Sequence, residues 1–415
     1  MFMIKNLQSS AFLLALFFAT FSNAAEEQIQ SPIESFFDHF FNADSPLEAS
    51  NTIDEILASG VSFDETYLRL SEGRQYEAQE TGLLMRSYRG VDNSEFYYAL
   101  SVPESYDPSR SYQVRFDLHG GVGGRTSNQP RGNGEVRLQG AEQIHITPYA
   151  WNAAPWWSET QVENIRAILD EVKRDFNVDE NRVVLSGVSD GGTGSYYIAM
   201  RESTRFASIL PLNSFIMVLA NQSIDKGGSF IGNLRNKSLF VINGGRDRLY
   251  PTSNVEPFVT YLAENGVDTA YYPQADGEHN TQWWPDMKDI YEEFVLAHPR
   301  NAHPEFITWE VAEGELNNRA HWLLIDKVQT AGIENSSLVD INVSHGSIGR
   351  YVPANQPIFS RKGNSGRVDV QKEGNTIIAT SSGVQSFTLL LSPDVFDFSQ
   401  PIKVVANEKV VYEDI

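Results

Sequence analysis

One stretch of this chain sets a serine between glycines two positions before it and two after it, Gly187-Val188-Ser189-Asp190-Gly191. A serine hydroxyl works as a nucleophile only when it stands clear of its surroundings and a base takes its proton. The spacing meets the first need: a strand enters, the serine sits on a tight turn, and a helix leaves. The two glycines let the backbone pass through that turn without Cβ clashes. The apolar run Val183-Val184-Leu185 precedes the motif, and a helix-compatible stretch follows it to Met200. The positive end of such a helix favours negative charge developing beside the serine. The competing reading is a glycine-rich structural turn, and the motif occurs once in the sequence.

A serine of this kind needs a base, a group to orient the base and donors for an oxyanion. Of the eight histidines, His279, His298, His303, His321 and His345 follow Ser189. His279, in Asp276-Gly277-Glu278-His279-Asn280, comes directly after a strand-like segment and before a helical one, where a base would have to sit. Asp247, after Gly244-Gly245-Arg246, lies one strand earlier and is the expected acid; its other reading is a surface ion pair with Arg246 or Arg248. Asp276 is nearer in sequence but shares the loop of His279, from which its carboxylate would reach the imidazole awkwardly. Oxyanion donors are expected from backbone N–H groups at Asp190 and at Gly121, in the run His119-Gly120-Gly121-Val122-Gly123-Gly124. His119 itself reads as a structural residue at a strand end. Five of the seven tryptophans fall in two loops after strands: Trp151, Trp156 and Trp157, then Trp283 and Trp284. They are candidate substrate-binding residues for an aromatic or extended acyl group, and equally suited to pack loops against helices. Trp309 and Trp322 read as core residues of a later part.

The elements that must hold these residues follow from the pattern. Strands are expected at 81–90, 95–102, 113–118, 143–148, 182–186, 206–212, 238–243 and 269–273, with helical stretches between most of them. The clearest helix begins at Ser158, where Ser158 and Gln161 have capping-box spacing and Val162, Ile165, Ile168, Leu169 and Val172 make one apolar face. Further helices fit 254–264 and 285–296. This alternation predicts a largely parallel sheet with crossover helices. Before it, residues 31–74 read as short amphipathic helices, with Phe36, Phe37, Phe40 and Phe41 on one face and Ile53, Ile56 and Leu57 on another. Beyond about residue 304 the helical pattern stops. Strand-like segments at 319–327, 338–343, 367–371, 376–381, 386–391, 403–405 and 409–412 predict an all-β, sandwich-like domain.

Taken together, these residues resemble the α/β-hydrolase superfamily over residues 81 to about 299. The eight strand candidates fit its eight-stranded, mostly parallel sheet, and Ser189, Asp247 and His279 fit its nucleophile–acid–base order. His119-Gly120-Gly121 and the doubled Gly191-Gly192 look like secreted esterases of the feruloyl or polyhydroxyalkanoate-depolymerase type, and equally like the catalytic domains of prolyl-oligopeptidase relatives. The resemblance implies an α/β fold and a serine hydrolase without cofactor or metal, acting on an ester substrate of aromatic or polymeric type. The alternatives are a secreted serine peptidase of the prolyl-oligopeptidase type and an inactive binding module on the same fold. Two departures point to an open site. Residues 121–140 support no helix after the third strand, and 212–237 is short for a large lid.

Composition narrows the rest. The 415 residues carry a formal net charge of −22, which disfavours nucleic acid and anionic lipid as partners. The chain has no cysteine, so disulfides, thiol nucleophiles, thiolate metal sites and a lipidated N-terminal cysteine are excluded. Lys5, the apolar run from Ala11 to Phe21 and the small residues Ser22-Asn23-Ala24 read as a signal peptide over 1–24, cleaved near Ala24. The expected location is periplasmic or extracellular, with no membrane anchor, since no later segment approaches about 20 apolar residues. The domain plan is then a leader at 1–24, a helical subdomain at 25–80, a catalytic domain at 81–303 and a β-rich domain at 304–415. No metal site is expected: Asp175-Phe176-Asn177-Val178-Asp179 opens like a calcium loop, but Glu180 takes its glycine position.

Overall fold

A computed structural model describes residues 32–43, 46–90, 93–130, 134–220, 229–315, 317–329 and 364–414. The leader and the strand expected at 338–343 lie outside the described residues. The chain divides into two compact units between Gln75 and Tyr76.

The first unit holds three helices, α1 (Pro32–Asn42), α2 (Pro46–Ala58) and α3 (Phe63–Glu72). Arg69 of α3 binds Glu34 at 2.9 Å and Asp38 at 3.3 Å on α1, and lies over the rings of Phe37 and Phe41. The shared phenylalanine face is therefore closed by a cation as well as by apolar contact. On α2 only part of the expected face is buried: Ile56 is covered while Ile53 and Leu57 are exposed. A capping box is present at the start of α3, where Ser62 and Glu65 each accept the other's backbone N–H.

In the second unit eight strands form one sheet: β1 (Gly82–Arg89), β2 (Glu95–Val102), β3 (Tyr112–Leu118), β4 (Ile144–Pro148), β5 (Val178–Val188), β6 (Ser208–Leu212), β7 (Ser238–Gly244) and β8 (Thr269–Gln274). Their spatial order is β1-β2-β4-β3-β5-β6-β7-β8. β2 runs antiparallel to both its neighbours, and β4, β3 and β5 to β8 run parallel. This is the strand order and direction of the α/β-hydrolase fold. Along β5 to β7 alternate residues enter different cores. Val183, Leu185, Ile209, Leu239 and Val241 join one, and Val184, Leu210, Phe240 and Ile242 the other. A sheet buried on both faces needs such near-continuous apolar strands. Helices α4 (Glu159–Asp175), α5 (Asp190–Ala199) and α6 (Thr252–Glu264) contribute to the first core, and α7 (Trp284–Ala297) to the second.

Two local expectations are corrected. β5 starts at Val178, earlier than its apolar run, because Asp179, Glu180 and Asn181 continue the strand at its solvent-facing start. Ser158 is the N-cap of α4 but makes no cap bond. Its hydroxyl donates to the Pro155 carbonyl at 2.7 Å, while buried Gln161 donates to the Ala154 carbonyl at 3.1 Å. The Ser-x-x-Gln spacing there serves the loop ahead of the helix.

The β-rich part belongs to the same compact unit as the sheet. It has β9 (Phe306–Ala312), β10 (Arg319–Ala320), β11 (Leu323–Val328), β12 (Ser365–Glu373), β13 (Thr376–Ser382), β14 (Val384–Leu389), β15 (Ile402–Ala406) and β16 (Lys409–Asp414). These form a five-stranded sheet, β16-β15-β13-β12-β9, and a three-stranded one, β10-β11-β14, around a shared core that holds Trp309 and Trp322. The single strand expected at 319–327 is instead a hairpin. Ala320 pairs with Leu323 across His321-Trp322, with His321 at φ +52°.

Strand β9 escaped the sequence reading, and its surroundings show why. Ile307, Trp309 and Val311 face the β core, while Thr308 and Glu310 are buried on the other side. There the Asn233 side chain accepts from the Glu310 N–H at 2.8 Å and donates to its carbonyl at 2.9 Å. Asn236 treats Thr308 the same way, at 3.1 and 2.6 Å. Two carboxamides three residues apart on a 3-10 turn (Ile231–Asn236) thus complete the edge of β9 as a neighbouring strand would.

Candidate active site

The turn after β5 is strained and tightly enclosed. Ser189 has φ 57° and ψ −118°, in a region non-glycine residues rarely occupy, and α5 starts at the next residue. A Cβ on Gly187 would lie 2.2 Å from the Gly191 carbonyl oxygen, and one on Gly191 2.0 Å from that of Leu118 at the end of β3. The glycines flanking the serine are therefore required by backbone against backbone. The Ser189 N–H donates to the Leu212 carbonyl of β6 at 2.9 Å, which holds the turn on the sheet.

From that turn a continuous chain of polar contacts runs outward. Ser189 Oγ is 2.9 Å from His279 Nε2, and His279 Nδ1 is 2.7 Å from Asp247 Oδ2. An ionised carboxylate only accepts, so Nδ1 carries the proton toward Asp247 and Nε2 offers its lone pair to the serine hydroxyl. Asp247 is buried, and its other oxygen accepts the N–H groups of Leu249 at 2.8 Å and Tyr250 at 2.9 Å. Burial alone would raise its pKa; the bond from His279 and these backbone N–H groups outweigh it and hold the carboxyl below its usual 3.8. The sequence alternatives separate here. Asp276 pairs with Arg246 at 2.6 Å on the exposed surface, while Asp247 turns inward to the imidazole.

The loops that bring Asp247 and His279 together are joined main chain to main chain. Gly245 N–H donates to the Gln274 carbonyl at 2.7 Å, and Arg246 N–H to that of Gly277 at 2.9 Å. A Cβ on Gly244 would lie 2.3 Å from the Gly277 oxygen, so the pair can close only around glycine. Asn213, at φ 45° after β6, donates from its side chain to the Asn280 carbonyl at 2.5 Å and fixes the far end of the histidine loop. The Tyr250 ring meets His279 edge to face at 5.7 Å. Neither residue stands out in the sequence: nothing marks a lone Asn or Tyr as a partner of a loop it meets only in space.

The glycine-rich loop after β3 abuts the serine. A Cβ on Gly120 would stand 2.9 Å from Ser189 Cβ, and Gly121 takes φ +67° ahead of a short 3-10 turn, Val122–Gly124. The Asp190 carboxylate accepts the Val122 N–H at 2.7 Å and ties this loop to the start of α5. As the first residue of α5, Asp190 has a backbone N–H without an intrahelical acceptor. His119 is half-buried and neutral: the desolvation pushes its pKa down to about 4. Its Nδ1 donates to the Gly120 carbonyl at 2.9 Å, and its Nε2 accepts the Ala150 N–H at 3.1 Å. It is a brace between two loops.

The five tryptophans take different places. Trp156 has no exposed surface, donates to the His119 carbonyl at 2.8 Å and presses on α5, where a Cβ on Gly194 would lie 2.2 Å from its own Cβ. Trp284 is buried in the second core, donates to the Gln139 carbonyl at 2.8 Å and lies under the Arg115 guanidinium. The expectation that these two rings meet substrate is corrected, because burying so large an apolar area anchors each loop to the sheet. Trp283 is also buried, at the wall of an open cleft of about 490 Å³ lined by Gln274, Asp276, Glu278, Asn280, Gln282 and Asp286. Trp151 and Trp157 are half-buried, Trp151 beside Phe96 at 5.7 Å.

Among the described residues, no group of three or more His, Asp or Glu side chains is placed to hold a metal ion, and no helix is long and apolar enough to cross a membrane. No family model matches the chain. Feruloyl esterase C of Emericella nidulans is 34% identical over 125 residues, 28% of this chain and 45% of that protein. A probable feruloyl esterase C of Aspergillus niger is 29% identical over 184 residues, 42% of this chain and 63% of that protein. The chain thus spans about half to three-fifths of these relatives. Among solved structures, a thermostable esterase covers 52% of this chain and 63% of its own at 20% identity and TM-score 0.43. A ferulic acid esterase covers 53% of this chain and 99% of its own at 17% identity and TM-score 0.42. By the order and direction of its strands the chain has the α/β-hydrolase fold, and part of its sequence is similar to the feruloyl esterases.

Proposed function

We propose that this chain is an exported serine esterase that hydrolyses carboxylic esters through an acyl-enzyme, with Ser189 as nucleophile, His279 as base and Asp247 as the acid. The observation that carries this reading is the unbroken line from Ser189 Oγ through His279 to Asp247, at 2.9 and 2.7 Å. As Ser189 attacks the ester carbonyl, His279 Nε2 takes its proton, and Asp247 stabilises the resulting imidazolium. The oxyanion is received by the backbone N–H groups of Asp190 and Gly121. His279 then gives its proton to the departing alcohol. In the second half it takes a proton from the water that attacks the acyl-enzyme and gives it to the departing Ser189 Oγ.

The relatives named feruloyl esterases favour an aromatic, hydroxycinnamoyl-type acyl group as substrate. The leader pattern at 1–24 favours export, to a periplasm or beyond. The working division is a helical subdomain at 25–80, a catalytic domain at 81–303 and a β-rich domain at 304–415.

The test is a substrate panel on the purified protein: p-nitrophenyl acetate and butyrate, methyl ferulate, a polyester and aminoacyl-p-nitroanilides. The reading expects ester turnover, highest on methyl ferulate, that disappears in Ser189→Ala. Faster turnover of the anilides than of any ester would make the chain a peptidase. No turnover of any of them, with a folded protein, would make it a binding module.

A further inference from the structure

At the amino ends of β6, β7 and β8, opposite the end that carries Ser189, a cavity of about 180 Å³ opens between the sheet and the β-rich part. Lys237, just before β7, lines it and is 5% exposed. Among the described residues its ammonium has no carboxylate within ion-pair distance, and its one hydrogen-bond partner is His321 Nε2 at 3.4 Å. His321 is 3% exposed, set in the left-handed turn between β10 and β11 and fixed by its own N–H to Thr204 Oγ1 at 2.9 Å. With Nε2 accepting from lysine, the ring proton belongs on Nδ1, and Nδ1 is buried without a partner among the described residues.

Further cations stand around this pair. Arg235 and Arg300 line the cavity, and Arg319 and His303 also act on His321. Of the carboxylates nearby, Asp268 lines the cavity and faces His298 at 3.6 Å, Glu180 lies 3.9 Å from Arg300, and Glu202 is held by Arg166 at 2.8 Å and Arg205 at 3.7 Å. In a chain of net charge −22, this concentration of cations around a buried, unneutralised lysine calls for a counter-charge. Two donors of the Lys237 ammonium are left over once it has met His321 Nε2, and an ammonium accepts nothing.

We infer that this cavity binds a small oxyanion, held by Lys237 Nζ, which His321 of the β-rich part positions from the lysine's other side. Inorganic sulfate or phosphate and a short carboxylate share the required chemistry, a compact set of acceptor oxygens with negative charge. Burial draws the Lys237 ammonium down to about 7, so an empty site weakens the folded state when that group is protonated, and an anion restores the balance. The site lies apart from Ser189, and the inference holds whether or not the chain is an esterase.

The test is thermal unfolding of the full chain in sodium sulfate, phosphate or acetate, each against sodium chloride of equal ionic strength. The wild type is expected to gain several degrees in Tm that saturate with at least one oxyanion, and the arm that saturates identifies the ligand class. Lys237→Met keeps the length and removes the charge. It is expected to melt at or above the wild type in chloride, keep its turnover rate and lose the saturating response. His321→Asn, which tolerates the left-handed turn, is expected to bind more weakly. A rise that does not saturate, or that Lys237→Met shares, is the general effect of excluded salts and overturns the site. Calorimetric titration of the wild type with the same salts gives a second reading: saturable heat supports the site, and none in any of the three overturns it.

Discussion

The sheet carries two histidine–aspartate pairs built on the same bond, and they behave differently because of what surrounds the carboxylate. In one, His279 Nδ1 meets Asp247 at 2.7 Å; in the other, His145 Nδ1 meets Asp117 at 3.0 Å. Asp247 gives its second oxygen to backbone N–H groups, which leaves its charge for the imidazole alone. Asp117 shares its charge with Arg115, whose guanidinium is 3.2 Å from it, 3.2 Å from Glu292 and stacked beside Trp284 and Tyr291. His279 keeps about a quarter of its side chain exposed at the carboxyl ends of the strands, whereas His145 lies within β4 and is nearly covered. The first pair is held by main chain around an open hydroxyl, and the second is a closed network that fastens β3 and β4 to α7. A histidine–carboxylate bond alone therefore carries no chemistry; access and an unshared charge do.

Breaking one pair and then the other separates the two roles. Asp247→Asn is expected to lower kcat by about 10⁴-fold with little change in stability, because the wrong tautomer of His279 then faces Ser189. Steady-state kinetics with p-nitrophenyl butyrate beside a denaturant melt reads both quantities. Arg115→Ala should do the reverse. It leaves Asp117 and Glu292 facing each other without their cation, at a cost of about 3–5 kcal/mol, while kcat per folded molecule stays within a few-fold. Gly191→Ala sharpens the comparison from the serine's side. A Cβ 2.0 Å from the Leu118 oxygen must push β3 and the elbow apart, so activity falls by orders of magnitude and stability by about 1–3 kcal/mol together.

Acid titration reaches both pairs at once. Burial opposes ionisation of Asp117, but Arg115 and His145 outweigh it, and Asp247 is likewise held below 3.8. The stability from a depressed carboxyl is fully present above its unfolded pKa and lost as pH falls through the folded one. Tm should therefore hold near pH 5 and drop below about 3.8, more shallowly in Asp117→Asn than in wild type. The smallest effect is expected at Asn213→Ala, which frees the Asn280 carbonyl. Loss of one buried hydrogen bond costs about 1 kcal/mol, and kcat should fall modestly with KM unchanged as the histidine loop loosens.

Much of this could be read before any coordinates. The eight strands of the main sheet fall within a few residues of the apolar runs that announce them, since strands buried on both faces must be apolar throughout. The turn at Ser189 was legible because its glycines impose a local spacing, and the alignment of Asp247 and His279 with it because each follows a strand in the same order. The residues that hold them in place were not. Asn213 and Tyr250 act across distances the sequence does not encode, and Asp190 ties down the glycine-rich loop after β3 with a side chain that looks like an ordinary helix start. The tryptophans misled for a related reason: a large ring in a loop is equally a ligand surface and an anchor, and burial away from the cleft marks Trp156 and Trp284 as anchors. Strand β9 stayed hidden because Asn233 and Asn236 bury its polar face, which the alternation would assign to solvent.

If Ser189 is the activated nucleophile, covalent labelling finds it most directly. The protein is treated with a fluorophosphonate, digested, and the adduct located by mass spectrometry. One phosphonyl group on the peptide holding Ser189, absent from Ser189→Ala and much slower to form in Asp247→Asn, is the result expected. Labelling that persists in Ser189→Ala, or that maps to another hydroxyl, would contradict it.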